Sequence, residues 1–170
     1  PPMSSGTEPL REPATGGNAS FRLAYDDLRD WIREAERLGE IKIVTGANWQ
    51  EEIGMAAELV CRTDGNAAIL FDEVPGCRKG FRVLVNIFGN RRKAMTLGFP
   101  EGLDKIGLSE AFAEVYEPAT RRVAPVYVDD GPVFENILTG DAVDLDIFPT
   151  PVWHEKDGGR YIGTGSYNVT

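Results

Sequence analysis

The residues with chemical reach gather in the run Tyr161 to Thr170, which reads as a strand and contains Gly163-Thr164-Gly165-Ser166. Side chains alternate between faces along a strand. Ile162, Thr164, Ser166, Asn168 and Thr170 therefore share one face, and Tyr161, Gly163, Gly165, Tyr167 and Val169 the other. Glycine weakens a strand and often marks the close approach of a ligand or of another backbone. Bare backbone beside the hydroxyls of Thr164 and Ser166 suits a phosphate or a flat ring. A solvent-facing strand with a bulge would use the same residues.

Other candidates are weaker. His154, the sole histidine, has Glu155 and Asp157 close by. Such a group offers an acid/base pair or a metal site, although a histidine in a charged loop more often stays solvated or acts as a hydrogen-bonding strut. Arg91-Arg92-Lys93 is the one dense basic cluster, at a predicted helix start, where anions bind well. Its plainer reading is a solvated helix face. Gly163-Thr164-Gly165 has the first part of a dinucleotide fingerprint, but Asn168 stands where the third glycine belongs and no helix follows. A nucleotide-binding oxidoreductase is thus a weak option. Cys61 and Cys77 fit no metal or redox spacing and read as free thiols of a reducing cytoplasm. Trp31 and Trp49 fit apolar helix faces better than cofactor stacking.

The elements that must position these groups follow from composition and periodicity. The 170 residues suffice for one domain and the start of a second. Residues 1–20, rich in Pro, Gly, Ser, Thr and Ala, read as a flexible tail without the character of a signal peptide. No apolar run is long enough to span a bilayer. The 18 basic and 27 acidic residues leave a formal charge of −9, which disfavours nucleic acid and anionic membranes.

A helix capped by Asp26 or Asp27 is predicted with Leu28, Trp31, Ile32, Ala35 and Leu38 inward and Gly39 as its stop. A strand over 40–44 follows, with Ile41 and Ile43 on one face. A second helix opens at Asn48, with Glu51 completing a capping box and Ile53, Ala56, Ala57 and Val60 buried. Strands over 67–71 and 81–88 flank turn chemistry and plausibly pair. A helix over 91–97 is capped by Asn90, and another over 108–116 by Ser109 or Asp104. Val126 to Val128 is a predicted short strand. Beyond Asn136 the helical period is lost, and the prolines of Phe148-Pro149-Thr150-Pro151 keep that stretch extended. The fold class is α/β in a mixed α+β sense. The expected division is a tail over 1–20, an N-terminal α/β domain over 21–135, and a linker with the start of another domain over 136–170.

Four segments, in order, resemble the UbiD family of decarboxylases, which use prenylated flavin mononucleotide (FMN). They are Asp27-Leu28-Arg29-Asp30-Trp31 through Leu38-Gly39-Glu40-Ile41; Ala68-Ile69-Leu70-Phe71-Asp72-Glu73-Val74-Pro75-Gly76; Val85-Asn86-Ile87-Phe88-Gly89-Asn90-Arg91-Arg92; and Trp153-His154-Glu155-Lys156-Asp157-Gly158-Gly159-Arg160-Tyr161-Ile162-Gly163-Thr164-Gly165. The resemblance implies reversible, non-oxidative decarboxylation of aromatic or α,β-unsaturated acids. It implies prenylated FMN, a divalent metal (Mn or Mg) and K as cofactors of the intact enzyme, in a cytoplasmic homo-oligomer. It also implies that this region is the N-terminal α/β domain plus the first strand of a split β-barrel that holds the flavin.

The matching positions that approach the cofactor are Thr164, Gly165 and Ser166. The family's Glu-Arg-Glu catalytic set and its metal-binding Asn, His and Glu lie further along, so no catalytic or metal residue is assigned. Neither Asn168 nor His154 matches a metal ligand of the family by register. The 170 residues by themselves are expected to be inactive and to need the rest of a decarboxylase chain. The alternative is a non-catalytic module for partner binding or oligomerisation, or one half of a split enzyme, since an unfinished strand edge is a template for pairing.

Overall fold

The computed structural model describes residues 23–64, 66–115 and 124–163. Its organising element is a central strand, β2 (Ala68–Asp72), whose first four residues are all buried. A strand covered on both faces carries a continuous apolar run rather than an alternating one. Ala68 and Leu70 point to one side, where they meet Trp31, Ile32 and Ala35 of α1 (Leu28–Arg37) and Met95 of a later helix. Ile69 and Phe71 point to the other, against Ala47, Val74 and Ile53 of α2 (Glu52–Cys61).

The sheet has the order β1-β2-β3. Strand β1 (Ile41–Thr45) runs parallel to β2 in the register Ile41 to Ala68, with α2 as the crossover. Strand β3 (Val83–Val85) is antiparallel, with Phe71 opposite Val83. The pairing of the two apolar runs is thus as expected, but β3 is much shorter than 81–88. Asn86 takes φ +62 and turns the chain out of the sheet, and its side-chain amide donates to the Ala67 carbonyl.

Capping explains where the helices begin and end. Asp27 accepts from the amides of Arg29 and Asp30 at 2.8 and 2.9 Å and starts α1. Gly39, at φ +68, ends it. Leu28, expected inside, is exposed because it sits on the outer side of that first turn. Ile41 packs in the core, whereas Ile43 is exposed on its edge strand. At α2 the reciprocal cap joins Asn48 to Glu52 and not to Glu51 as expected: Asn48 Oδ1 accepts from the Glu51 and Glu52 amides, and Glu52 Oε2 accepts from the Asn48 amide. Helix α3 (Asn90–Leu97) has Gly89 as its cap, so Asn90 is its first residue and not the capping one. Helix α4 (Lys105–Val115) starts a turn earlier than expected, with Asp104 accepting from the Gly107 amide at 2.8 Å.

Residues 124–163 form an extended strap with three single-turn 3-10 helices, Pro132–Phe134, Gly140–Ala142 and Leu145–Ile147. The strand expected over Val126 to Val128 does not form. These residues join no ladder among the described residues and are 84%, 93% and 70% exposed, so no buried face holds them in a sheet. Of the expected final strand, residues 161–163 belong to no strand among the described residues, and residues 164–170, with Thr164, Gly165, Ser166 and Asn168, lie outside them. No helix among the described residues is long and apolar enough to cross a membrane.

Candidate functional site

Residues 148–161 of the strap meet the α/β layer, and the contact begins with a missing side chain. Gly54 lies buried in α2, and a Cβ there would stand 2.2 Å from the Trp153 carbonyl oxygen. The helix thereby admits the strap's backbone at van der Waals range. Beside it, the Val152 amide donates to the Trp49 carbonyl at 2.9 Å, and the Trp153 ring packs on the Ile53 and Phe71 side of the core. Phe148 meets Phe81 edge to face at 5.5 Å.

From this anchorage the chain turns through the charged loop 154–159 and returns at Arg160. The Arg160 guanidinium lies over the Trp49 ring, 4.4 Å from its centroid. Its Nε donates to the Thr150 carbonyl at 2.9 Å, Nη2 to the Phe148 carbonyl at 2.6 Å, and Nη1 to Asp146 at 2.7 Å. The planar fork of arginine suits such divergent acceptors and a flat aromatic neighbour at once. The next residue is held twice: the Tyr161 amide donates to the Pro151 carbonyl at 3.0 Å, and Trp153 Nε1 donates to the Tyr161 carbonyl at 2.7 Å. Trp153, His154, Asp157, Gly159, Arg160 and Tyr161 are among the residues lining an open cleft of about 520 Å³ here.

His154 sits at the rim of this cleft with its side chain 65% exposed. Its Nδ1 is 3.5 Å from Asp157 and its Nε2 is 3.9 Å from Glu58 of α2, while Glu155 is a separate exposed residue of the loop. The Asp157 carboxylate also accepts from the His154 amide at 2.9 Å, so it shapes the loop. The imidazole itself stands in solvent, the solvated reading of His154. Among the described residues no group of three or more His, Cys, Asp and Glu is placed to hold a metal ion. Cys61 and Cys77 are free thiols.

Within the basic cluster Lys93 is exposed, as a solvated face would have it, whereas Arg92 is neither an anion site nor solvated. Arg92 is fully buried. It pairs with Glu40 at 2.8 Å and also donates to the Glu40 and Asn86 carbonyls and to Asn66. Burial pushes the guanidinium pKa below its ordinary value, and the Glu40 carboxylate opposes that shift. Arg92 therefore ties the α1–β1 turn, the approach to β2 and the exit of β3 to the start of α3. Trp31 is core, with its Nε1 bonded to Thr96, and Trp49 is half-buried as the platform for Arg160.

Sequence reasoning passed over Arg160, Trp153 and Gly54. Only Gly54 carried a usable signal, since a glycine inside a helix is costly unless something comes close to it.

Comparison with known proteins covers both parts of the chain. Residues 32–109 match the model of the 3-octaprenyl-4-hydroxybenzoate carboxy-lyase N-terminal domain, and residues 125–170 match that of the Rift-related domain of the same carboxy-lyase. A pyrrole-2-carboxylic acid decarboxylase of Pseudomonas aeruginosa is 33% identical over 84% of this chain and 30% of its own. A phenolic acid decarboxylase of a Streptomyces species is 31% identical over 82% of this chain and 30% of its own. The chain thus spans about 30% of the length of these relatives. In fold it is similar to the vanillic acid decarboxylase of Sedimentibacter hydroxybenzoicus in its open form, with a TM-score of 0.71 and 24% identity over 81% of this chain and 30% of that one.

Proposed function

The chain belongs to the UbiD family of carboxy-lyases, and from that membership we propose that it forms the N-terminal part of a decarboxylase of aromatic or α,β-unsaturated carboxylic acids that works with prenylated FMN. The observation that carries the proposal is the ordered match of two successive domains of one enzyme family, at 32–109 and 125–170. Two relatives are named for acids on a pyrrole or phenolic ring, which favours a planar aromatic or heteroaromatic acid as substrate.

In this reading residues 21–135 are the N-terminal α/β domain, and residues 136–170 are the linker and first strand of the flavin-binding barrel. Thr164, Gly165 and Ser166 approach the flavin. Bound prenylated flavin would supply the electron sink as the carbon–carboxylate bond breaks and CO2 leaves with a proton taking its place. The described residues do other work. Arg160 spends all three of its nitrogens on the strap, and His154 is solvent-exposed, so neither is assigned a proton or a substrate. Mn or Mg, and K, are proposed to be held by groups elsewhere in the intact enzyme. The working enzyme is proposed to be a cytoplasmic homo-oligomer in which the remainder of the decarboxylase chain completes the site.

The test is an assay of the 170-residue chain and of the intact flavin-loaded enzyme on a panel of aromatic and unsaturated acids. The intact enzyme should release CO2 from at least one acid, and the 170 residues alone should release none. Turnover by the short chain would place catalytic groups within it. Failure of the loaded enzyme on every acid would refute the decarboxylase reading.

A further inference from the structure

We propose that the cleft between α1 and β3 binds an organic monoanion, a carboxylate on an apolar body, with Arg29 and Arg82 as its charged lip. The cleft holds about 610 Å³, within the ordinary range of small-molecule sites. Its floor is the α1 side of the sheet, formed by the buried Ile32 and Leu70 and the half-buried Leu84. The exposed Leu28 adds an apolar wall. Such a lining favours an apolar body and disfavours an inorganic anion, which would lose water there without replacing it. The charge sits at the lip. Arg82 is exposed and has neither a hydrogen bond nor an ion pair among the described residues. Arg29 meets Asp27 at 3.4 Å, and its side chain is 80% exposed. In a chain of net charge −9, acidic residues outnumber basic ones, so an arginine without a carboxylate is a cation in want of a partner. Asp27 also lines the cleft, with its Oδ1 committed to the Arg29 and Asp30 amides. Two positive charges against one negative leave a single positive charge in excess. That excess matches a monoanion, and a second negative charge on the ligand would face Asp27 uncompensated. The guanidinium fork suits a carboxylate in both shape and charge. The strap packs on the other side of the sheet, with Trp153 beside Ile69 and Phe71, so it does not fill this cleft. Nothing in the arrangement depends on the flavin or on decarboxylation.

The experiment titrates hexanoate into the intact enzyme and follows hydrogen exchange over residues 28–33 and 80–85. Hexanoate is a saturated acid outside the proposed substrate class, and turnover is not read, so this site and the decarboxylase reading can fail separately. Hexanoate should slow exchange in both segments. Hexanamide has the same size without the charge and should bind about tenfold more weakly or worse. Arg82→Gln and Arg29→Gln each keep a neutral donor and lose the charge. Each should weaken hexanoate by about fivefold or more, because a hydrogen bond to an ionised group is roughly twice as strong as a neutral one. Arg82→Lys keeps the charge without the fork and should recover part of the affinity. Exchange unchanged by hexanoate would overturn the site, whether the cleft stays empty or another part of the enzyme fills it. Equal protection by hexanamide, or wild-type affinity in both glutamine variants, would overturn it as an anion site. Both arginines are exposed, so neither variant should disturb the fold. Should one of them fail to fold, the other and the hexanamide comparison still decide.

Discussion

A methyl group at position 54 would fall 2.2 Å from the Trp153 carbonyl oxygen. Two effects of Gly54→Ala then oppose each other. Alanine favours the helix by about 1 kcal/mol. Forcing backbone apart in a packed contact costs about 1–3 kcal/mol. The contact is backbone against backbone, with no flexible side chain to yield, so the second effect should win. Gly54→Ala is expected to lower stability in urea unfolding and to loosen the strap, seen as a change in tryptophan fluorescence. A net gain in stability would show that the strap moves aside freely. At Arg92 the signs do not compete. Removing one partner of a buried, hydrogen-bonded ion pair costs about 3–5 kcal/mol. Arg92→Met should approach that loss in chemical denaturation, and a loss like that of a surface substitution would refute the buried arrangement.

Helix α1 provides a prediction about pH. Arg37 hydrogen-bonds Glu34 one turn earlier and holds its carboxyl below the ordinary glutamate value. A depressed carboxylate pKa stabilises the fold above the unfolded value, and the contribution is lost as pH falls through the folded one. The Arg37 side chain is 60% exposed, so the effect is screened by solvent and small. The melting temperature of the wild type should exceed that of Glu34→Gln at neutral pH and low salt, and the difference should vanish in acid. A difference that persists there would assign it to something other than the ion pair. The same helix shows how far pattern reading reaches. Asp27, Trp31, Ile32, Ala35 and Gly39 are legible because caps and the helical period act within a few residues. The length of β3 is not legible, because it depends on one left-handed asparagine whose partner is 19 residues away. Nor is the role of Arg92, which sits in a basic run but faces a carboxylate 52 residues distant. The loop over 153–160 is legible only as a charged stretch, and residues 164–166 lie outside the described residues. The Arg160 fork is not legible, because two of its three acceptors are backbone carbonyls that carry no sequence signature.

Across the molecule, apolar side chains divide unevenly. The buried apolar core lies in the α/β layer, while the strap leaves Val126, Tyr127, Val133, Ile137, Leu145 and Ile162 at least 65% exposed. Large apolar side chains exposed in such number are normally covered in a working protein. The 170-residue chain produced alone should therefore bind an apolar dye and associate as its concentration rises. Replacing Tyr127, Ile137 and Leu145 with serine should reduce both signals without changing the helical far-UV signal. Unchanged dye binding would place the sticky surface elsewhere. The Arg92 cluster has a consequence in time as well. Its partners come from positions 40, 66 and 86, so the guanidinium meets them only after the parallel crossover between β1 and β2 has closed. Closing such long loops costs entropy before any contact repays it. Contacts made on the downhill side of the barrier govern how fast a protein comes apart rather than how fast it forms. Arg92→Lys should therefore steepen the loss of the native state in stopped-flow unfolding while the refolding limb stays near that of the wild type, making this one side chain a latch on the lifetime of the α/β layer.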